Sequence, residues 1–164
     1  MNSSLWILLT AQLFSLSVGI ISYKKRSISA SGFFALVLIS SLFIWLDQVN
    51  LLFVLFYMFA SSSILTKFKK SQKKEFDLVV AKSGPRDYIQ AICNLGIATI
   101  ALIFYHFTNE DAFIAAIIGS VAAANADSWA SEIGGLSKSQ PIMITTLKPV
   151  QKGISGGVTL TGML

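Results

Sequence analysis

The feature that most constrains this chain is a series of five apolar runs, at residues 5–23, 28–46, 51–66, 88–107 and 112–131. Each is close to the length of a bilayer's hydrocarbon core, which a helix crosses with about 20 apolar residues, within a range of about 17–25. Little sequence remains to build a water-facing surface. Charged residues make up 13% of the chain and hydrophobic residues 54%, whereas soluble domains carry roughly 25% charged residues. A soluble monomer is therefore excluded. The first run does not read as a secretory signal, because residues 1–4 hold no Lys or Arg and no clear Ala-x-Ala site follows. A single cysteine, Cys93, excludes an intrachain disulfide and a thiolate zinc site, and a single histidine, His106, excludes a multi-histidine metal cluster.

The charges between the runs orient the chain. The 13 basic residues fall in three places: Lys24, Lys25 and Arg26 after the first run; Lys67, Lys69, Lys70, Lys73, Lys74, Lys82 and Arg86 between the third and fourth; and Lys138, Lys148 and Lys152 after the fifth. The remaining connections hold Asp47, Glu110 and Asp111 and no basic residue. An odd number of spans precedes each basic stretch, so all positive charge lands on one side. The positive-inside rule makes that side cytoplasmic and the N-terminus external, in a multi-pass protein of the cell membrane. A net charge of +5 would point to nucleic acid in a soluble protein, but this distribution points to the bilayer, with no nucleic acid partner. The stretch 67–74 (KFKKSQKK) reads first as a solvated, topology-fixing loop and second as a patch for anionic head groups. A sixth run, residues 154–164, stops after 11 residues, too few to span; it is either a re-entrant end or a helix cut short by truncation, and the second is the expectation. The expected fold is all-α: one polytopic transmembrane bundle over residues 1–164, with five complete spans and the start of a sixth.

Ionisable groups at membrane depth cost about 2.5–3.5 kcal/mol each on insertion scales and are functional candidates by default. Gly84-Pro85-Arg86-Asp87 forms a turn feeding the fourth span, with Asp87 at the helix start where its charge suits the dipole. Arg86, Gln90 and Asn94 follow at i, i+4 and i+8, on one stripe that needs other helices or a water-filled cleft. Interhelical hydrogen bonding by the two amides explains that stripe equally well. The fifth span is built of small residues (Ala115, Ala116, Gly119, Ala122, Ala123, Ala124) that allow close helix approach. It ends in Asn125, Asp127, Ser128, Ser131 and Glu132. Asn125, Ser128 and Glu132 share one face, and Asp127 and Ser131 an adjoining one. The two carboxylates diverge by about 140°, so both grip one ion only if the helix frays, for which Gly134-Gly135 is a candidate place. A Mg²⁺ held by one or two carboxylates and substrate phosphates suits this inventory. The plain alternative is that Asp127 caps or pairs with a base at the interface.

The loop beyond contains Lys148 and Lys152, then Gly153, Ser155, Gly156 and Gly157. Glycines before a helix leave amides pointing outward, and a helix start favours anions. This predicts a phosphate-binding loop, though not a Walker motif, since no Gly-Lys-Ser/Thr ending is present.

The stretches GPRDYIQAICNLG (84–96), AAANADSWASEIGGLS (122–137) and TTLKPVQKGISGGVTLTG (145–162) resemble the domain-of-unknown-function-92 family, which includes transmembrane protein 19 and a plant phytyl-phosphate kinase. Asp127-x-x-Ala130-Ser131-x-x-Gly134 is also similar to the pattern of dolichol and phytol kinases. The resemblance implies a multi-span membrane protein and, by the plant member, CTP-dependent phosphorylation of a prenyl monophosphate. It implies Asp127 with Glu132 for Mg²⁺, and Lys148 with residues 153–157 and Lys152 for nucleotide phosphates. The chain departs from the family pattern at Gln151 and Lys152, where prolines are expected, and at Ile154, where threonine is usual. The expected function is a CTP-dependent kinase acting on an isoprenoid lipid phosphate at the cytoplasmic face, with Asp127 and Lys148 catalytic and Asn125, Ser128 and Ser131 in support. From geometry, Arg86, Asp87 and Asn94 would meet the acceptor lipid. The rivals are a transporter or lipid-handling protein without chemistry and a structural membrane subunit, since polar residues at membrane depth also line pathways and join helices.

Overall fold

A computed structural model describes residues 3–68 and 84–163; most of the basic 67–74 stretch, with Lys82, lies outside them. The described chain is helical: α1 (Ser3–Lys24), α2 (Ala30–Trp45), a 3-10 turn (Val49–Leu51), α3 (Leu52–Lys67), α4 (Tyr88–Thr108) and α5 (Asp111–Gly134), then β1 (Ile142–Met143), β2 (Gly157–Val158) and the short α6 (Leu160–Met163). Four helical stretches, Leu5–Lys24, Val49–Lys67, Tyr88–Thr108 and Asp111–Gly134, are long and apolar enough to cross a membrane. The 16-residue α2 is shorter, about 24 Å at 1.5 Å per residue, against a core of about 30 Å. Large apolar side chains are exposed along these helices: Phe34 at 70%, Phe53 at 74% and Phe107 at 78%. In water such surfaces would aggregate; in a bilayer they face acyl chains.

The helix ends are made by local chemistry. Ser29 caps α2 by accepting from the Gly32 N–H at 3.1 Å. Asp87 caps α4 by accepting from the Gln90 N–H at 3.0 Å. Three helices stop on left-handed residues that are not glycine: Arg26 (φ 53°), Asp47 (φ 61°) and Asn109 (φ 54°). At the first two the paired bonds of a Schellman turn close the helix, Ser27 N–H to Ser22 O with Arg26 N–H to Tyr23 O, and Gln48 N–H to Phe43 O with Asp47 N–H to Ile44 O. Asp87→Ala removes a cap and is expected to lower stability by about 1 kcal/mol; a thermal unfolding scan in detergent, showing a fall of a few degrees, checks it.

The chain divides into two compact units: residues 1–58 with 85–124, and residues 59–84 with 125–164. In the first, Phe43, Ile44, Leu102, Ile117 and Val121 are fully buried and centre the core. Between hydrocarbon and hydrocarbon the hydrophobic effect offers little, so helix pairing depends on close packing and polar contacts. The α1–α2 hairpin has both. The Ser15 and Ser40 hydroxyls hydrogen-bond in the interior, Ser41 donates to Gln12 Oε1 at 3.2 Å, and Gly19 lies against the Phe33 ring. The α1–α2 connection is stitched to the chain entering α4: Arg86 N–H donates to Ser27 O at 3.0 Å and Ser29 N–H to Arg86 O at 2.9 Å. Gly32 sits so close to this seam that an added Cβ would overlap the Arg86 carbonyl oxygen.

The second unit holds the last turns of α3 and α5, the loop and α6. β1 and β2 pair antiparallel, Ile142 with Val158 and Met143 with Gly157. The sixth apolar run differs from the expected helix, because only Leu160–Met163 is helical and the residues before it form a turn and β2. The reason is local. Gly153 (φ 91°) and Gly156 (φ 82°) take left-handed backbone that an α-helix cannot continue through. Thr159 then starts α6, its hydroxyl accepting from the Gly162 N–H at 3.2 Å. Gly162 rests on α5, where a Cβ would come within 2.8 Å of the Ala130 carbonyl oxygen and 3.0 Å of Gly134 Cα. Gly162→Val is expected to unseat α6, at a cost of about 1–3 kcal/mol; faster proteolysis after residue 150 in detergent, with residues 1–124 intact, is the readout.

Candidate functional site

The polar end of α5 offers two faces. Helix α5 runs unbroken through Glu132 and ends at Gly134, so the Gly134-Gly135 pair closes the helix beyond both carboxylates, and Asp127 and Glu132 keep the divergence of about 140° that five helical steps impose. Asn125, Trp129 and Glu132 lie within about 60° of one another, and all three meet α3. The Ser61 hydroxyl donates to Asn125 Oδ1 at 3.3 Å, Trp129 Nε1–H donates to Ser61 Oγ at 3.2 Å, and the Thr66 hydroxyl donates to Glu132 Oε1 at 2.5 Å. Asp127 and Ser131 point elsewhere, and both are exposed. Asp127 has no hydrogen-bond or ion-pair partner among the described residues. Ser128 is half-buried beside the α3-facing residues.

The loop after α5 is tightly bonded to itself. Met143 N–H donates to Lys148 O at 2.9 Å, Leu147 N–H to Met143 O at 2.8 Å, and Val150 N–H to Pro141 O at 2.9 Å, which places residues 144–147 at the tip of a hairpin. The Lys152 ammonium donates to the buried Ser137 carbonyl, closing the loop at its base. Lys148 is exposed and its side chain is unpaired among the described residues. The glycine segment differs from an anion-binding helix entry. Gly157 N–H donates to Ile154 O at 3.0 Å, and Gly156 O accepts from Ile144 N–H at 2.9 Å, so Gly157 serves the sheet. Ser155 and Gly156 are exposed and Gly153 half-buried. β2 and Thr159 separate these glycines from α6.

In the other unit, Asp87 spends a carboxylate oxygen on capping α4, Arg86 has its backbone paired with residues 27 and 29, and Asn94 is half-buried. Gln90 Oε1 is buried with no hydrogen-bond partner. Among the described residues no three His, Cys, Asp or Glu side chains cluster for a metal ion. The exposed Asp127 carboxylate is chemically compatible with a hard cation that a single carboxylate and phosphate oxygens would hold, as Mg²⁺ is commonly held. Three participants were not legible in the sequence: Ser61, Thr66 and Trp129. For Ser61 and Thr66 the signal was the hydroxyl-rich end of the third apolar run (residues 60–67, ASSSILTK), and Trp129 lay within the polar stretch that closes the fifth run.

No solved structure matches the chain. Protein PGR of Arabidopsis thaliana is 34% identical over 172 residues, covering 96% of this chain and 59% of that protein. The chain thus spans about three-fifths of that relative's length. An uncharacterized membrane protein of Methanocaldococcus jannaschii is 47% identical over 47 residues, covering 29% of this chain and 20% of that protein. The family model for the integral membrane protein DUF92 matches residues 13–164. With that match over nearly the whole chain and the helices described above, the chain belongs to the DUF92 family of integral membrane proteins.

Proposed function

We propose that this protein transfers a phosphoryl group from a nucleotide, CTP, to an isoprenoid lipid monophosphate at the cytoplasmic face of the membrane. The observation that carries this reading is an exposed carboxylate, Asp127, at the polar end of a membrane-length helix, in the same unit as an exposed Lys148, both without a side-chain partner among the described residues. The resemblance to prenyl-phosphate and polyprenol kinases supports the reaction class. In the transfer, an acceptor phosphate oxygen bonds to the γ-phosphorus as the bond from that phosphorus to the β-bridging oxygen breaks, giving a prenyl diphosphate and CDP. Such chemistry depends on alignment and on neutralising charge, with little covalent work for the protein. A bound Mg²⁺ would supply charge neutralisation across the phosphates, held on the protein side by Asp127. Lys148, on its hairpin, would neutralise phosphate charge, and Ser131 on the Asp127 face would offer a hydroxyl. Lys152 holds the loop closed. The basic connections support a cytoplasmic placement of the site under the positive-inside rule.

Purified protein with Mg²⁺, γ-labelled CTP and prenyl monophosphates of several chain lengths tests it. The expected result is labelled prenyl diphosphate with stoichiometric CDP. Absence of transfer from every nucleoside triphosphate to every acceptor overturns the reading and favours a lipid-handling role for the same polar residues.

A further inference from the structure

We infer that Ser61 and Thr66 of α3 are positioning residues for the site, and that of the two carboxylates at the end of α5, Glu132 anchors the helix to α3 while Asp127 is the one offered to the cation. The contacts define a seam. Over two turns of α5, Asn125, Trp129 and Glu132 engage α3 at Ser61, Ser61 and Thr66 respectively. These three lie at 0°, about 40° and about −20° around the helix, and Asp127 lies at about 200°. The rise from Asp127 to Glu132 adds about 7.5 Å along the axis. A continuous helix with Glu132 held to α3 cannot deliver both carboxylates to one ion.

The seam is chemically suited to fixing a helix rather than binding a ligand. Each of its side chains has a hydrogen-bond partner on the opposite helix, and Trp129 packs an apolar body while its indole N–H is satisfied. In hydrocarbon, such interhelical bonds hold rotation as well as contact. Losing the Thr66 hydroxyl would remove one of the contacts that hold the end of α5 to α3, loosen the rotation of α5, and move Asp127 relative to the loop that carries Lys148. The Thr66 hydroxyl also lies 2.9 Å from Ser62 O, so its single proton is shared between that carbonyl and the Glu132 carboxylate. The effect on catalysis rests on the phosphoryl-transfer reading above; the packing does not.

The test uses the full chain in nanodiscs, with two kinds of readout. In transfer assays, Thr66→Val is expected to raise KM about tenfold, the size of one charge-assisted hydrogen bond, with kcat within about twofold, and Thr66→Ser to restore it. Glu132→Gln is expected to leave the Mg²⁺ concentration for half-maximal rate unchanged, while Asp127→Glu raises it. An equal rise in both variants overturns the inference, as does a wild-type KM in Thr66→Val. The second readout needs no activity. In a Cys93→Ser background, which removes the single native cysteine, a short bifunctional thiol reagent is expected to bridge Thr66→Cys with Glu132→Cys and not Thr66→Cys with Asp127→Cys. Bridging of the Asp127 pair in preference overturns the seam. With Trp129 as the sole tryptophan (Trp6→Phe, Trp45→Phe), Ser61→Ala is expected to shift its emission, and an unshifted spectrum overturns the Ser61 assignment. If no transfer occurs with wild-type protein, the functional reading fails and these two measurements still decide the seam.

Discussion

Asp127→Asn is expected to lower prenyl-phosphate phosphorylation by a factor on the order of 10²–10³ while leaving the protein folded and inserted. The substitution keeps size and shape and removes one negative charge. Asp127 makes no hydrogen bond or ion pair among the described residues that the change would break, and it is exposed, so little stability is at stake. What is lost is the charge for a cation shared with the phosphates. The comparison with Glu132→Gln is informative, because that change weakens a contact to Thr66 and acts through helix placement. Parallel measurements of rate, Mg²⁺ dependence and detergent-solubilised melting separate the two. An Asp127→Asn protein that melts like wild type and turns over at the wild-type rate would remove Asp127 from the site.

Gly32→Leu is expected to have the largest effect on folding. Gly32 is buried in the first turn of α2, its N–H held by Ser29 and its Cα facing the Arg86 carbonyl. That carbonyl is itself fixed by the Ser29 N–H, and the Arg86 N–H by Ser27 O. A side chain therefore meets backbone that is bonded in place, with no flexible tip to move aside. Overpacking of this kind costs about 1–3 kcal/mol per site and occasionally more. Separation of the residue 27–29 connection from Arg86 would break both backbone bonds as well. The expected outcome is low yield of monodisperse protein and a melting temperature lowered by well over that of Asp87→Ala, which gives the two cap-region variants a measurable order. Gly84→Leu is the matched control, since a Cβ there meets nothing within 4 Å.

Much of the helical framework was legible because bilayer crossing imposes long apolar runs, and α1, α3, α4 and α5 carry them. Asp87 as a helix cap was also readable, from a turn dipeptide followed by an acid before an apolar run. The stops after α1 and α2 fall within a residue of the run ends at 23 and 46, but the left-handed backbone that closes them was not readable, because Arg26 and Asp47 are not the glycine that usually signals it. The sixth run was misread as helix from residue 154 because apolar content outweighed glycine placement, and two-residue strands are too short for any alternation to show. The α3 half of the site was hidden for a different reason. Hydroxyls in apolar helices commonly bond back to their own backbone, as Thr66 does to Ser62 O, so Ser61 and Thr66 carried no signal until a partner helix was in view.

The most direct measurement is the aqueous accessibility of position 127. Asp127→Cys in a Cys93→Ser chain, reconstituted in sealed vesicles of known orientation, is treated with a membrane-impermeant thiol reagent from each side. Labelling from the cytoplasmic side alone is the expected result, whether Mg²⁺ with CTP or a prenyl monophosphate is present or absent. A residue 127 that reacts from neither side, with or without those ligands, contradicts the assignment of this helix end as a phosphate-binding site.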